Sequence, residues 1–174
     1  MGDESRTGLD RLSFLVGRWE GVGVTDFPDG EEQQFGQEVE FIRRTDSYLE
    51  YRATAWRLNA DGTPATTLTS ESGYWRARPD AERAAEENDG EPAPHVEALF
   101  VHPEGFTELY YGTVFANRIE LVTDAVLRSD TAGEVAGGHR LYGLIGADRA
   151  ALGYAWDLHG GEGKRQMSAQ LKRA

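Results

Sequence analysis

From Gly17 to the C-terminus the chain is built of short segments in which apolar and polar residues alternate, and this feature does most to limit its possible folds. Alternation of period two puts the apolar side chains on one face of an extended strand. Gly, Asp, Asn or Pro between the segments supplies a reversal roughly every 8 to 12 residues. Ten such segments can be read, at about 17 to 25, 34 to 44, 47 to 58, 66 to 78, 95 to 102, 106 to 114, 118 to 125, 137 to 145, 150 to 159 and 164 to 173. Tight turns are written between them as Phe27-Pro28-Asp29-Gly30, Asn59-Ala60-Asp61-Gly62 and His102-Pro103-Glu104-Gly105. No helical crossover fits between strands, which excludes a parallel sheet. Before the strands, Leu9, Leu12 and Leu15 recur at helical spacing and predict one short N-terminal helix. Sequential antiparallel strands leave two bare edges unless the first and last pair, so the expected fold is all-β: a ten-stranded antiparallel up-and-down barrel with a short helix.

Composition narrows the partners. The 174 residues carry 18 Lys and Arg against 30 Asp and Glu, a net charge of -12, which repels phosphate backbones and anionic lipid surfaces. Nucleic acid and membrane are therefore not expected partners. The absence of cysteine excludes disulfides, iron-sulfur clusters, thiolate metal sites and cysteine nucleophiles. With no apolar run long enough to span a bilayer and no signal-peptide pattern at the start, a cytoplasmic protein is expected. Residues 1 to 174 read as one domain. Within it, 79 to 94 is acidic, proline-rich and without large apolar side chains, the composition of an exposed mobile loop.

The strongest local motif is Gly17-Arg18-Trp19-Glu20-Gly21-Val22-Gly23. On a strand Trp19 shares its face with Gly17, Gly21 and Gly23, so one large ring is surrounded by positions without side chains. A structural plug is the simplest reading of such a tryptophan. A Gly-x-Trp at the start of the first strand after a short helix is similar to lipocalins and fatty-acid-binding proteins. The longer set is more discriminating: Gly-x-Trp-x-Gly-x-Gly, Phe27-Pro28, Glu71-Ser72-Gly73-Tyr74-Trp75-Arg76, His102-Pro103-Glu104-Gly105-Phe106-Thr107-Glu108 and Ser168-Ala169-Gln170-Leu171-Lys172-Arg173 together resemble the nitrobindin family over nearly the whole chain. That resemblance implies a barrel that holds ferric haem b through one axial histidine and converts peroxynitrite to nitrate.

The resemblance also exposes departures. The family pattern His-Leu-x-Ala-x-Leu-x-Arg on the last strand reads Gln166-Met167-Ser168-Ala169-Gln170-Leu171-Lys172-Arg173, so Gln166 stands at the axial position. A second family histidine is replaced by Thr69, and a Tyr-Pro-Thr near the haem becomes Phe27-Pro28-Asp29. A glutamine amide holds ferric iron far less firmly than imidazole. The expectation is a non-catalytic barrel that binds a small apolar or porphyrin-like molecule, with weak or no haem binding. Gln166, Thr69, Asp29, Trp19 and Leu158 are its cavity positions by family resemblance. The alternative is a working peroxynitrite isomerase with a substitute ligand, for which His159 is the candidate. Strand parity speaks against it, since Leu152, Tyr154, Trp156 and Leu158 form the apolar face of that segment. His95, His102 and His139 read as exposed, and the many carboxylates as surface charge. On the last strand alternation buries Met167, Ala169 and Leu171, whereas the family pattern turns Gln166, Ser168 and Gln170 to the cavity. Both hold if the helix leucines cover the Met167 face from outside.

Overall fold

The computed structural model describes residues 8 to 79, 94 to 161 and 163 to 174. A 3-10 helix, Gly8–Leu15, precedes β1 (Gly17–Thr25), β2 (Gln33–Arg43), β3 (Tyr48–Leu58), β4 (Pro64–Ala77), β5 (Val96–His102), β6 (Phe106–Phe115), β7 (Arg118–Arg128), β8 (Val135–Ile145), β9 (Ala151–Gly160) and β10 (Gly163–Arg173). Every strand pairs antiparallel with its neighbours in sequence, and β1 pairs with β10 to close the barrel. The fold expected from the alternation is therefore the observed one. Of the acidic segment 79 to 94, only Pro79 and Pro94 fall among the described residues.

Inward positions follow the pleat. On β5 they are Val96, Ala98, Phe100 and His102, on β6 Phe106, Glu108 and Tyr110, and on β10 Met167, Ala169 and Leu171. The pairing of β10 with β1 and β9 runs without a register shift, so alternation decides its faces. Ser168 and Gln170 are consequently outside. The helix does not cover the outer side of β10: Leu9, Leu12 and Leu15 are buried in the same core as Trp19 and Leu171. Trp19 is fully buried, donates its indole N–H to the Leu15 carbonyl at 2.8 Å and carries the Arg173 guanidinium 4.1 Å above its ring. A Cβ at Gly21 or Gly23 would fall about 2 Å from the Gln170 or Ser168 carbonyl oxygen, so the glycines of this motif let β1 lie close against β10.

Candidate functional site

Three inward positions that sequence alternation would fill with apolar residues carry charge. Glu71 on β4, Glu108 on β6 and Arg140 on β8 are all buried. Arg140 clamps Glu71 through Nη1 to Oε1 at 2.6 Å and Nη2 to Oε2 at 2.8 Å, and Nη2 reaches Glu108 Oε1 at 3.1 Å. The tight β5–β6 hairpin pairs His102 with Phe106 and stacks their rings at 4.0 Å. That places His102 Nε2 2.7 Å from Glu108 Oε1 and 3.7 Å from Glu71 Oε2. Tyr110 donates to Glu108 Oε2 at 2.6 Å, and Tyr51 donates to Glu71 Oε1 at 2.6 Å. With the Tyr51 proton committed to the carboxylate, its 3.0 Å contact to Tyr142 has Tyr142 as donor. Aromatic faces complete the shell: the guanidinium carbon lies 4.1 Å from the Trp156 ring centre and 4.3 Å from that of Phe100.

Burial alone pushes both carboxyls up, yet each is held below its usual range. For Glu71 the charge and hydrogen bonds of Arg140 outweigh burial, and for Glu108 the His102 hydrogen bond and Arg140 do so. Burial drives the phenols the other way, Tyr110 to about 12 and Tyr51, Tyr142 and Tyr154 also upward. Every carboxylate oxygen of Glu71 and Glu108 has a donor. The cluster is thus a buried set of mutually bonded polar groups that ties β3, β4, β5, β6 and β8 together, with the Arg140 Nε left without a partner. His102 and the two glutamates correct the reading of these residues as surface groups. Polar residues on a strand's inward parity were the signal available for them, at Glu71, His102 and Glu108 alike.

Among the described residues, the fully buried side chains include Leu9, Leu12 and Trp19 at the helix end, with Phe41, Trp75 and Arg140 beyond them. Space remains at the opposite end, where Phe27, Pro28, Glu134, Leu158 and Arg165 line an open depression of about 630 Å³. Phe27 stacks on Trp156 at 5.4 Å and joins the depression to the core. Leu158 lines this mouth directly. Thr69 is half-buried on the inward face of β4, two residues before Glu71. Gln166 is exposed next to Arg165, its backbone N–H bonded to Asp26 Oδ1 at 2.6 Å. Asp29 is exposed in the β1–β2 turn, where it caps the Glu31 N–H. Trp19 belongs to the plugged end, away from the mouth. Among the histidines, His159 is exposed opposite Leu158, His139 lies on the parity opposite Arg140, and His95 is at the helix end. Among the described residues no group of three or more His, Asp or Glu is arranged to hold a metal ion, and no helix is long and apolar enough to cross a membrane.

Residues 8–173 match the family described as the THAP4-like, heme-binding beta-barrel domain. The chain is 51% identical over 175 residues to a ferric nitrobindin-like protein of Thermobifida fusca, covering 99% of this chain and 97% of that one. It is 39% identical over 193 residues to a peroxynitrite isomerase of Leifsonia xyli, covering 94% and 92%. The crystal structure of Rv2717c from M. tuberculosis superposes with a TM-score of 0.72 at 27% identity, covering 97% of this chain and 98% of that one. A closed barrel with this motif set and this similarity along its whole length belongs to the nitrobindin-like family of haem-binding β-barrels.

Proposed function

We propose that this chain is a nitrobindin-like barrel that works as a small-molecule binder in the cytoplasm, takes haem weakly or not at all, and does not isomerise peroxynitrite. The observation that carries the reading is the donor set at the mouth. Position 166, where the family pattern has its axial histidine, is an exposed glutamine on the outward parity of β10 with Ser168 and Gln170, next to Arg165, which does line the depression. Among the described residues no imidazole is turned to the depression: His102 is bonded to Glu108 and stacked on Phe106, and His159 points to solvent. Bound haem would supply a ferric centre for chemistry on nitrogen oxides, and these residues do not fit an iron held by histidine. What they offer instead is an apolar floor of Phe27 and Leu158 with the Arg165 guanidinium and the Glu134 carboxylate in the lining, suited to a flat apolar molecule carrying a polar substituent.

Titration of the purified apoprotein with hemin tests this. The expected result is a Soret band indistinguishable from free hemin in the wild type and a sharpened, shifted band in Gln166→His. A sharp ferric histidine-type spectrum in the wild type that disappears in His159→Ala would establish the rival reading, a haem protein with a substitute ligand, and would open the way to the activity for which the Leifsonia xyli relative is named, peroxynitrite isomerase.

A further inference from the structure

The helix end of the barrel has a cleft of its own. Between the start of β3, the end of β4 and the start of β5 lies a space of about 680 Å³ lined by Arg11, Arg76, Arg78 and His95, with Ser47 and Tyr48 at its edge. In a chain of net charge -12, three arginines and a histidine around one cleft reverse the local field. Asp46, which also lines the cleft, is bonded to Arg43 at 2.9 Å, and Glu97 lies 3.3 Å from the Arg76 Nε.

We propose that this cleft is a second binding site, taking a small ligand that bears a phosphate or comparable doubly charged oxyanion. His95 is the most constrained part. Its N–H donates to the Gly112 carbonyl at 2.7 Å, its carbonyl accepts the Arg78 N–H at 2.8 Å, and its Nδ1 accepts the Val114 N–H at 3.1 Å. A ring that accepts at Nδ1 carries its proton on Nε2, so the neutral imidazole is a fixed N–H donor on its other edge. Burial and the charge of Arg11 push the His95 pKa down and keep that neutral form. The guanidiniums are also oriented: Arg78 lies 4.9 Å over the Tyr111 ring, and Arg76 is steered by Glu97, 3.3 Å from its Nε. Guanidinium forks match the paired oxygens of phosphate. Arg11 and Arg78 each have further interactions, so a ligand competes with these for the guanidiniums, and a doubly charged oxyanion is attracted more strongly than a monovalent carboxylate.

The test is a nuclear magnetic resonance titration of the whole chain with inorganic phosphate, glycerol 3-phosphate and acetate at matched ionic strength, following the His95 ring and the Arg78 amide. Saturable shifts with either phosphate and none with acetate are expected, and comparing the two phosphates separates an esterified ligand from the free ion. Arg76→Gln and His95→Gln should each weaken binding about tenfold, as loss of one charge-assisted or fixed donor does. Arg76 is exposed, so its variant keeps the fold and carries the test even where His95→Gln does not. Shifts that rise linearly without saturating, that acetate reproduces, or that Arg76→Gln leaves unchanged would overturn the proposal.

Discussion

At the scale of single residues, Arg140 is the most consequential side chain in the core. Its two terminal nitrogens hold both buried glutamates, so Arg140→Met leaves two carboxylates without a counter-charge and should cost about 3 to 5 kcal/mol, read from the shift of the urea midpoint. The same pairs set the acid limit of the protein. Because the folded-state pKa values of Glu71 and Glu108 are depressed, their contribution to stability is complete above the unfolded value of about 4.3 and is lost as pH falls through the folded values. Thermal midpoints should therefore fall steeply on acidification below that value, and Glu71→Gln should flatten the fall; an unchanged slope would show that other carboxylates govern acid unfolding. Gly138 illustrates a steric constraint. An added Cβ would lie 2.6 Å from the Asp157 carbonyl oxygen and 2.8 Å from the Tyr110 hydroxyl. Since a ladder carbonyl cannot yield, Gly138→Ala should destabilise by about 1 to 3 kcal/mol in the same assay.

At the scale of elements, the 3-10 helix and the first half of β1 act as one stopper. The helix is too short to be stable alone, and it persists because Leu9, Leu12 and Leu15 are buried against the end of the barrel. Leu12→Ala should cost about 2 to 5 kcal/mol through lost burial and an unfilled cavity. Trp19→Phe isolates a different term: it keeps an aromatic ring but strips the donor from the buried Leu15 carbonyl, for an expected loss of about 1 to 3 kcal/mol by thermal unfolding. The opposite end has no such stopper. There the β1–β2 turn contributes Phe27 and Pro28, and β9 and β10 contribute Leu158 and Arg165, to the lining of the open depression.

For the whole molecule, closure joins the first strand to the last, so the β1–β10 ladder forms only after the intervening chain is arranged. Such non-local pairing slows folding. Refolding followed by tryptophan fluorescence should proceed in milliseconds to seconds or slower, and a microsecond relaxation would contradict closure as the limiting step. The two ends of the barrel also differ in what they present. The mouth offers Phe27 and Leu158 with one arginine, while the helix end offers three arginines and a fixed imidazole. An apolar ligand at the mouth and a phosphate at the helix end should bind without competing, and titrating one in the presence of the other checks that independence.

The amino-acid order by itself determined the architecture, because a period-two pattern interrupted by turn residues admits few arrangements of ten strands and only a closed one protects their edges. It pointed to a buried Trp19 as well, since one large ring among glycines has few other uses, but it set the helix leucines over the outside of β10, where the structure has them in the core with Trp19. That Gln166 replaces the family's histidine is what the motif resemblance implies, and the proposed function rests on it. The tertiary structure decided what lies inside. Glu71, Arg140 and the hairpin pair His102 and Glu108 are far apart along the chain and individually look like surface residues. Only the shear of the closed sheet sets their inward parities at one level, where each charge is tolerable solely because the others are there.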